Sequence, residues 1–110
     1  SKLFIVRKNG KAALMNDQGQ LLTPLELDIV YKYMPINGLI ELQIGDKSGL
    51  YDYCRNLYVR PVYDQIDEEN GLVYAQLGER WGFISCKDGS FIDENDEDTL
   101  GDVPVLKWMH

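Results

Sequence analysis

The chain has 110 residues, of which 45% are hydrophobic, and it carries a formal net charge of −7 at pH 7. This composition predicts one small folded domain, and the negative charge disfavours binding to nucleic acid or to anionic membranes. The longest apolar run near the start, Leu3 to Val6, is too short for a signal peptide or a membrane span, and the two cysteines, Cys54 and Cys86, lack the pattern of a disulfide framework or a zinc site. We therefore expect a cytoplasmic protein without a cofactor or a metal.

The first predicted elements form a β-hairpin. The stretch LFIVRK, Leu3 to Lys8, has the period of two that is typical of a strand, with Phe4 and Val6 on one face. The pair Asn9-Gly10 suits a type I′ turn, and Asp17 to Gly19 marks the next reversal. This part of the chain is predicted to be antiparallel strand.

The following segment, TPLELDIVYKYM from Thr23 to Met34, has two interpretations. Thr23 and Glu26 have the spacing of a capping box and Pro24 suits the first helical position, which favours a short helical turn. The equivalent segment later in the chain, Arg60 to Asp67, looks extended, which favours an irregular strand. Both interpretations stay open from the sequence.

The hairpin pattern returns twice. A shift of 36 residues places Asp28 on Asp64, and a further shift of 33 residues places Gly49 on Gly82. Hairpin turns of type II′ are predicted at Gly45-Asp46 and Gly78-Glu79. We predict an all-β domain of antiparallel hairpin repeats, in which one short helical turn at Thr23 to Met34 stays open. The three copies lie at about 1–37, 38–70 and 71–95, followed by an acidic loop and a terminal strand in 96–110.

One position of the repeat requires a small residue. Gly82, Gly49 and Ala13 are equivalent on the second strand of each copy, so we expect another backbone or a flat ring to approach closely there. The neighbouring Trp81 has Ser48 and Ala12 as its equivalents. It is therefore either a local packing element or an exposed aromatic anchor for a partner.

The stretch ERWGFISCKDGSFI, together with RPVYDQI before it, resembles the WG-repeat family, in which a Trp-Gly pair precedes a Lys-Asp-Gly-like turn. The resemblance covers roughly Leu3 to Asp93 and is strongest from Arg60 to Ile92. Ala12-Ala13 and Ser48-Gly49 replace the Trp-Gly pair in the earlier copies. The resemblance implies an all-β repeat protein used mainly for binding, and it carries over no catalytic residues.

Acidic residues are concentrated in the second half of the chain. Residues 1–60 hold eight Lys/Arg and six Asp/Glu, whereas residues 61–102 hold two and twelve, so the net charges are +2 and −10. Such a region attracts basic partners. We predict a partner-binding surface formed by these acids and the aromatic residues between them: Tyr63, Asp64, Asp67, Glu68, Glu69, Tyr74, Trp81, Asp93, Glu94 and Asp96.

Catalysis is not expected. The only histidine is His110, so a general base near neutral pH and the usual nucleophile–histidine pairs lack a member. Two binding functions remain. The chain is either a small acidic inhibitor of a basic protein, such as the immunity protein of a bacterial toxin, or a module of a longer WG-repeat array that recognises a peptide or glycan through exposed aromatics such as Tyr51, Tyr53, Tyr58 and Trp81.

Overall fold

The computed structural model describes residues 2–31 and 38–95, and these residues form an all-β structure, as predicted. They fall into two compact units, one within Ser1–Val62 and the other within Tyr63–His110. The strands are β1 (Leu3–Lys8), β2 (Lys11–Asn16), β3 (Ile29–Val30), β4 (Leu39–Ile44), β5 (Lys47–Asp52), β6 (Leu57–Tyr63), β7 (Gln65–Glu69), β8 (Leu72–Leu77), β9 (Arg80–Ile84) and β10 (Phe91–Asp93).

The strands form three antiparallel sheets. In the first unit β1 pairs with β2, and a separate sheet has the order β3-β4-β5-β6; the second unit has one sheet of order β10-β9-β8-β7. The first unit packs around apolar residues contributed by its hairpins: Ala12, Leu14, Leu27, Val30, Ile40, Leu42 and Tyr51. The second unit has a smaller cluster of Leu72, Phe83 and Ile92, against which Tyr74 packs.

The predicted hairpin turns are confirmed by their backbone angles. Asn9 and Gly10 both have positive φ, 53° and 80°, as a type I′ turn requires. Gly45 and Gly78, the first central residues of the next two turns, have φ of 60° and 66°, as type II′ requires.

A further hairpin turn joins β7 to β8. Its central residues, Asn70 and Gly71, have φ of 54° and 84° and form another turn of the Asn-Gly kind. This turn was not among those predicted, although it has the same Asn-Gly pair as Asn9-Gly10.

A short strand of one repeat copy pairs with the first strand of the next copy. Val30 of β3 lies opposite Leu42 of β4, and Ile66 of β7 lies opposite Ala75 of β8. The two pairs are related by the 36- and 33-residue shifts, so the registers are equivalent. The first strand of the second and third copies therefore pairs with a short strand from the copy before it.

The segment from Thr23 to Tyr31 is irregular strand rather than helix, so of the two interpretations the helical turn is wrong for the described part and the irregular strand is confirmed there. The Thr23 hydroxyl accepts a hydrogen bond of 3.1 Å from the Leu14 amide, and Glu26 binds Tyr58 and Arg60. The two side chains of the predicted capping box are thus used in tertiary contacts. Residues 32–34 of that segment and the predicted terminal strand after residue 96 lie outside the described residues.

The small-residue position is confirmed as a close approach of backbones. A Cβ atom added at Gly82 would collide with the Ile92 carbonyl oxygen and lie 2.8 Å from Cζ of Phe91. One added at Gly49 would collide with the Val59 carbonyl oxygen. Each glycine thus lets the third strand of its copy lie against the second. In the described part of the chain, no helix is long and apolar enough to cross a membrane.

Candidate functional site

One face of the sheet in the second unit carries an open depression of about 530 Å³. Its lining combines carboxylates and aromatic rings, and five of its six residues belong to the surface predicted from the sequence. The lining residues are Gln65, Asp67, Glu68, Glu69, Tyr74 and Trp81.

The strand β7 supplies the acidic side of the depression. The side chains of a strand alternate between its two faces, so Gln65, Asp67 and Glu69 share one face, and all three are exposed. Asp67 lies directly opposite Tyr74 on β8, which places the carboxylate and the phenol side by side on that face. The sequence prediction omitted Gln65, although the same alternation from Asp67 points to it.

The aromatic side of the depression comes from β8 and β9. Trp81 is 42% exposed and lies opposite Gln76, which makes it a diagonal neighbour of Tyr74. Tyr74 is half-buried, and its ring lies 5.3 Å from that of Phe83 at an angle of 47°. The phenol is thereby anchored to the apolar cluster, while the indole faces solvent. The exposure of Trp81 does not fit the packing interpretation and agrees with the anchor interpretation.

The three acids at the depression have different local roles. Oε2 of Glu68 accepts a hydrogen bond of 3.0 Å from the Gly71 amide, so Glu68 stabilises the β7–β8 turn. The Asp67 carboxylate accepts a long bond of 3.2 Å from the adjacent Glu68 amide, and Glu69 is exposed at the end of the strand. Asp67 and Glu69 are therefore the better placed to meet a ligand.

Two of the predicted contact residues, Tyr63 and Asp64, make contacts within the fold. Tyr63 is buried, its ring lies 5.9 Å from that of Phe91, and burial raises the pKa of its phenol. The Asp64 carboxylate accepts a hydrogen bond of 2.7 Å from the Gly78 amide. The burial of Tyr63 does not fit its predicted role as a contact, whereas Asp64 is exposed and its role as a contact stays a prediction.

The later acidic cluster is only partly described. Asp93 forms an ion pair of 3.0 Å with Arg80, whose guanidinium lies 5.1 Å from the centre of the Phe91 ring. Glu94 is exposed, and its amide donates to the Trp81 carbonyl oxygen at 3.0 Å, so its backbone continues the pairing of β10 with β9. Asp96 lies outside the described residues.

The aromatic residues expected to form a glycan- or peptide-binding surface are mostly not exposed. Tyr51 is buried, and its hydroxyl donates to Oδ1 of Asn56 at 2.6 Å. Tyr53 and Tyr58 are half-buried. Only Trp81 among the four proposed residues presents a large apolar surface to solvent.

The depression places carboxylates beside aromatic rings. Carboxylates beside aromatic rings attract and stack on cationic groups. No protein-family model, no curated protein and no solved structure matches this chain. Within residues 2–31 and 38–95, no group of three or more His, Cys, Asp or Glu side chains is arranged to hold a metal ion.

Proposed function

We propose that this chain is a non-enzymatic binding protein, a small acidic inhibitor that covers a basic surface of another protein, as the immunity protein of a toxin does. The observation that supports this proposal is the depression, in which the exposed Trp81 ring lies on the same face of the sheet as Asp67 and Glu69. Exposed aromatic side chains on a rigid element are the usual energetic centre of a protein interface.

Charge and shape have separate tasks in this proposal. The excess of carboxylates steers a basic partner towards the second unit and raises the association rate, and salt screens this effect beyond about 8 Å at physiological ionic strength. Trp81 and Tyr74 then enter the desolvated centre of the interface and slow dissociation. Such a division predicts a rate of association that depends on salt and a rate of dissociation that depends on the indole.

A repeat module from a longer WG-repeat array is a second candidate. The equivalent registers of β3 on β4 and of β7 on β8 favour it, because the second and third copies are each completed by a strand of the copy before. Repeat proteins are built by stacking units that do not bury their surfaces alone.

The test begins with identification of a partner by capture from native lysate and mass spectrometry. Association with that partner is then measured against salt for Asp67→Asn/Glu69→Gln, which alters the depression. A matched variant, Glu79→Gln/Asp88→Asn, removes the same charge from exposed positions of the same unit that neither line the depression nor belong to the predicted contacts.

We expect the first variant to associate more slowly and with a weaker salt dependence than the matched variant. Trp81→Ala is expected to accelerate dissociation about tenfold or more. If the two double variants behave alike and Trp81→Ala dissociates normally, the depression is not the binding surface. Capture of further repeat-containing segments of the same protein instead of a basic partner would favour the repeat module.

A further inference from the structure

Among the described residues, no strand lies on the outer edge of β1, whereas the equivalent edges of β4 and β8 each have one. β4 is flanked by β3 and β8 by β7, whereas β1 is paired only with β2 in the described part of the chain. The three strands are the equivalent first strands of the three copies. The second and third copies therefore show what a complete first strand looks like, and they define the missing element.

The two complete copies bind their added strand through the same pair of hydrogen bonds to one aspartate. The Asp28 amide donates to the Gln43 carbonyl oxygen at 2.8 Å, and its carboxylate accepts from the Gly45 amide at 2.6 Å. In the next copy the Asp64 amide donates to the Gln76 carbonyl oxygen at 2.8 Å, and its carboxylate accepts from the Gly78 amide. One aspartate thus fixes the register of the strand and caps the neighbouring hairpin turn.

The corresponding groups on β1 are the Arg7 carbonyl oxygen and the Asn9 amide, by the same 36-residue shift. Lys8 and Lys11 flank the two-residue turn Asn9-Gly10 and form a hydrogen-bonded pair. Hydrogen-bonded and non-hydrogen-bonded pairs alternate along an antiparallel ladder, so Phe4, Val6 and Lys8 bond to β2. The backbone groups of Leu3, Ile5 and Arg7 therefore point away from β2. They form an edge ready for another strand.

The charge at this end of the hairpin suits an acidic ligand. Arg7 and Lys8 are exposed, and Lys11 already pairs with the Asp28 carboxylate at 2.6 Å. The face beside the edge is partly apolar, because Phe4 is 44% exposed and Val6 is half-buried. In β3 the residue two positions after the aspartate, Val30, is buried opposite Leu42, whose counterpart on β1 is Val6.

We propose that β1 is an acceptor edge for an extended, antiparallel peptide segment of a partner protein. The segment carries an aspartate preceded by an apolar residue and followed two positions later by a β-branched or other apolar residue. Its aspartate amide binds the Arg7 carbonyl oxygen, its carboxylate binds the Asn9 amide, and its apolar residue packs on Val6. This is strand addition to a sheet edge, with the side-chain pattern setting specificity.

A second copy of this chain is not the occupant. The chain contains two described segments of this pattern, Leu27 to Val30 and Tyr63 to Ile66, and both are already paired inside the fold. A second copy could supply one only by opening its own sheet. A peptide from another polypeptide carries no such cost.

The test uses a synthetic peptide with the sequence of Pro24 to Tyr31, PLELDIVY, added to the isotope-labelled full chain. Amide hydrogen exchange is followed residue by residue. We expect the outward amides of Ile5, Arg7 and Asn9, which lie opposite the peptide in this register, to become slower, while those of Phe4, Val6 and Lys8, which already bond to β2, stay unchanged. A peptide with Ala in place of the aspartate is expected to bind roughly tenfold more weakly or worse.

Two variants of the full chain complete the test. Arg7→Pro removes one outward N–H group at an exposed edge position, where proline is tolerated, and Arg7→Ala keeps that group. We expect the proline variant to lose peptide binding and the alanine variant to retain most of it, with thermal unfolding showing that each is folded. The exchange pattern decides the question in the wild-type chain even if the proline variant does not fold.

Three results would overturn the proposal. One is the absence of slowed exchange at the alternate β1 amides at millimolar peptide. Another is equal binding of the peptide without its aspartate. The third is self-association of the chain, seen by sedimentation, that slows the same amides without peptide, because the occupant would then be a second copy.

Discussion

The carboxylate of Asp64 accepts a hydrogen bond of 2.7 Å from the backbone amide of Gly78, across the turn that joins β8 to β9. The contact ties the end of one repeat copy to the hairpin of the next. Asp64→Ala is expected to destabilise the second unit by about 1 kcal/mol, because a charge-assisted hydrogen bond is lost at an exposed site. Chemical denaturation measures the change.

Glu79→Ala is the matched control for this substitution. It removes the same charge from the residue after Gly78 and leaves the capping bond intact. We expect it to change the free energy of unfolding by less than about 0.5 kcal/mol. Faster hydrogen exchange of the Gly78 amide only in Asp64→Ala would identify the capping bond as the cause, and equal exchange in both variants would contradict it.

The equivalent residue Asp28 predicts a dependence of stability on pH. Its hydrogen bonds to Lys11 and to the Gly45 amide lower the pKa of its carboxyl below the ordinary value of 3.8. A carboxyl whose pKa is lowered by folding stabilises the fold fully above its unfolded pKa, and this contribution is lost as the pH falls through the folded pKa. We expect the unfolding temperature of the wild-type chain to fall more steeply below pH 4 than that of Asp28→Asn. Parallel curves would contradict this role.

The hydrogen bond between Tyr58 and Glu26 predicts a change in the pKa of Glu26 that an NMR titration can measure. The Tyr58 hydroxyl donates to Oε2 of Glu26 at 2.6 Å, and this bond is the main reason that the pKa of Glu26 lies below 4.5. Tyr58→Phe is expected to raise the pKa of Glu26 in an NMR titration and to cost about 1 kcal/mol of stability. Tyr74→Phe, in the other unit, should leave the pKa of Glu26 unchanged.

The close approach of β10 to Gly82 predicts that a larger side chain at this position destabilises the fold. Gly82→Val is expected to cost roughly 1 to 3 kcal/mol or more, because its Cβ would collide with the Ile92 carbonyl oxygen and β10 would have to move. Trp81→Ala alters the adjacent exposed side chain and should cost much less. Thermal unfolding of the two variants compares the positions, and an unchanged midpoint for Gly82→Val would show that β10 yields freely.

The repeat and its turns could be predicted because their signals are local. Asn9-Gly10, Gly45 and Gly78 each require positive φ, and the sequence shows this directly. Asn70-Gly71, between β7 and β8, has the same sequence pattern and the same positive φ angles, so this hairpin was also predictable. The helical interpretation of Thr23 to Met34 failed in the described part because Thr23 and Glu26 bond to residues distant in sequence, which no local pattern reports.

The candidate site could be predicted in part because strand alternation and hairpin turns are also local features of the sequence. The alternation of a strand brings Asp67 and Glu69 to one face, and the hairpin turns bring Tyr74 and Trp81 beside them. The place of Tyr63 among the acidic clusters in the sequence predicts a contact, but the Tyr63 ring lies 5.9 Å from that of Phe91 and is buried. Proximity in sequence does not tell which face of a strand is covered.

The order of strands in the sheets has a consequence for the kinetics of folding. Each described strand pairs only with its neighbours along the chain, so most loops that must close are short and the entropy lost in closing them is small. The hydrogen bond between Glu26 and Tyr58, which spans 32 residues, is a longer-range exception. We expect the hairpins to form early and independently on the microsecond scale, and the contact of Glu26 to form among the last.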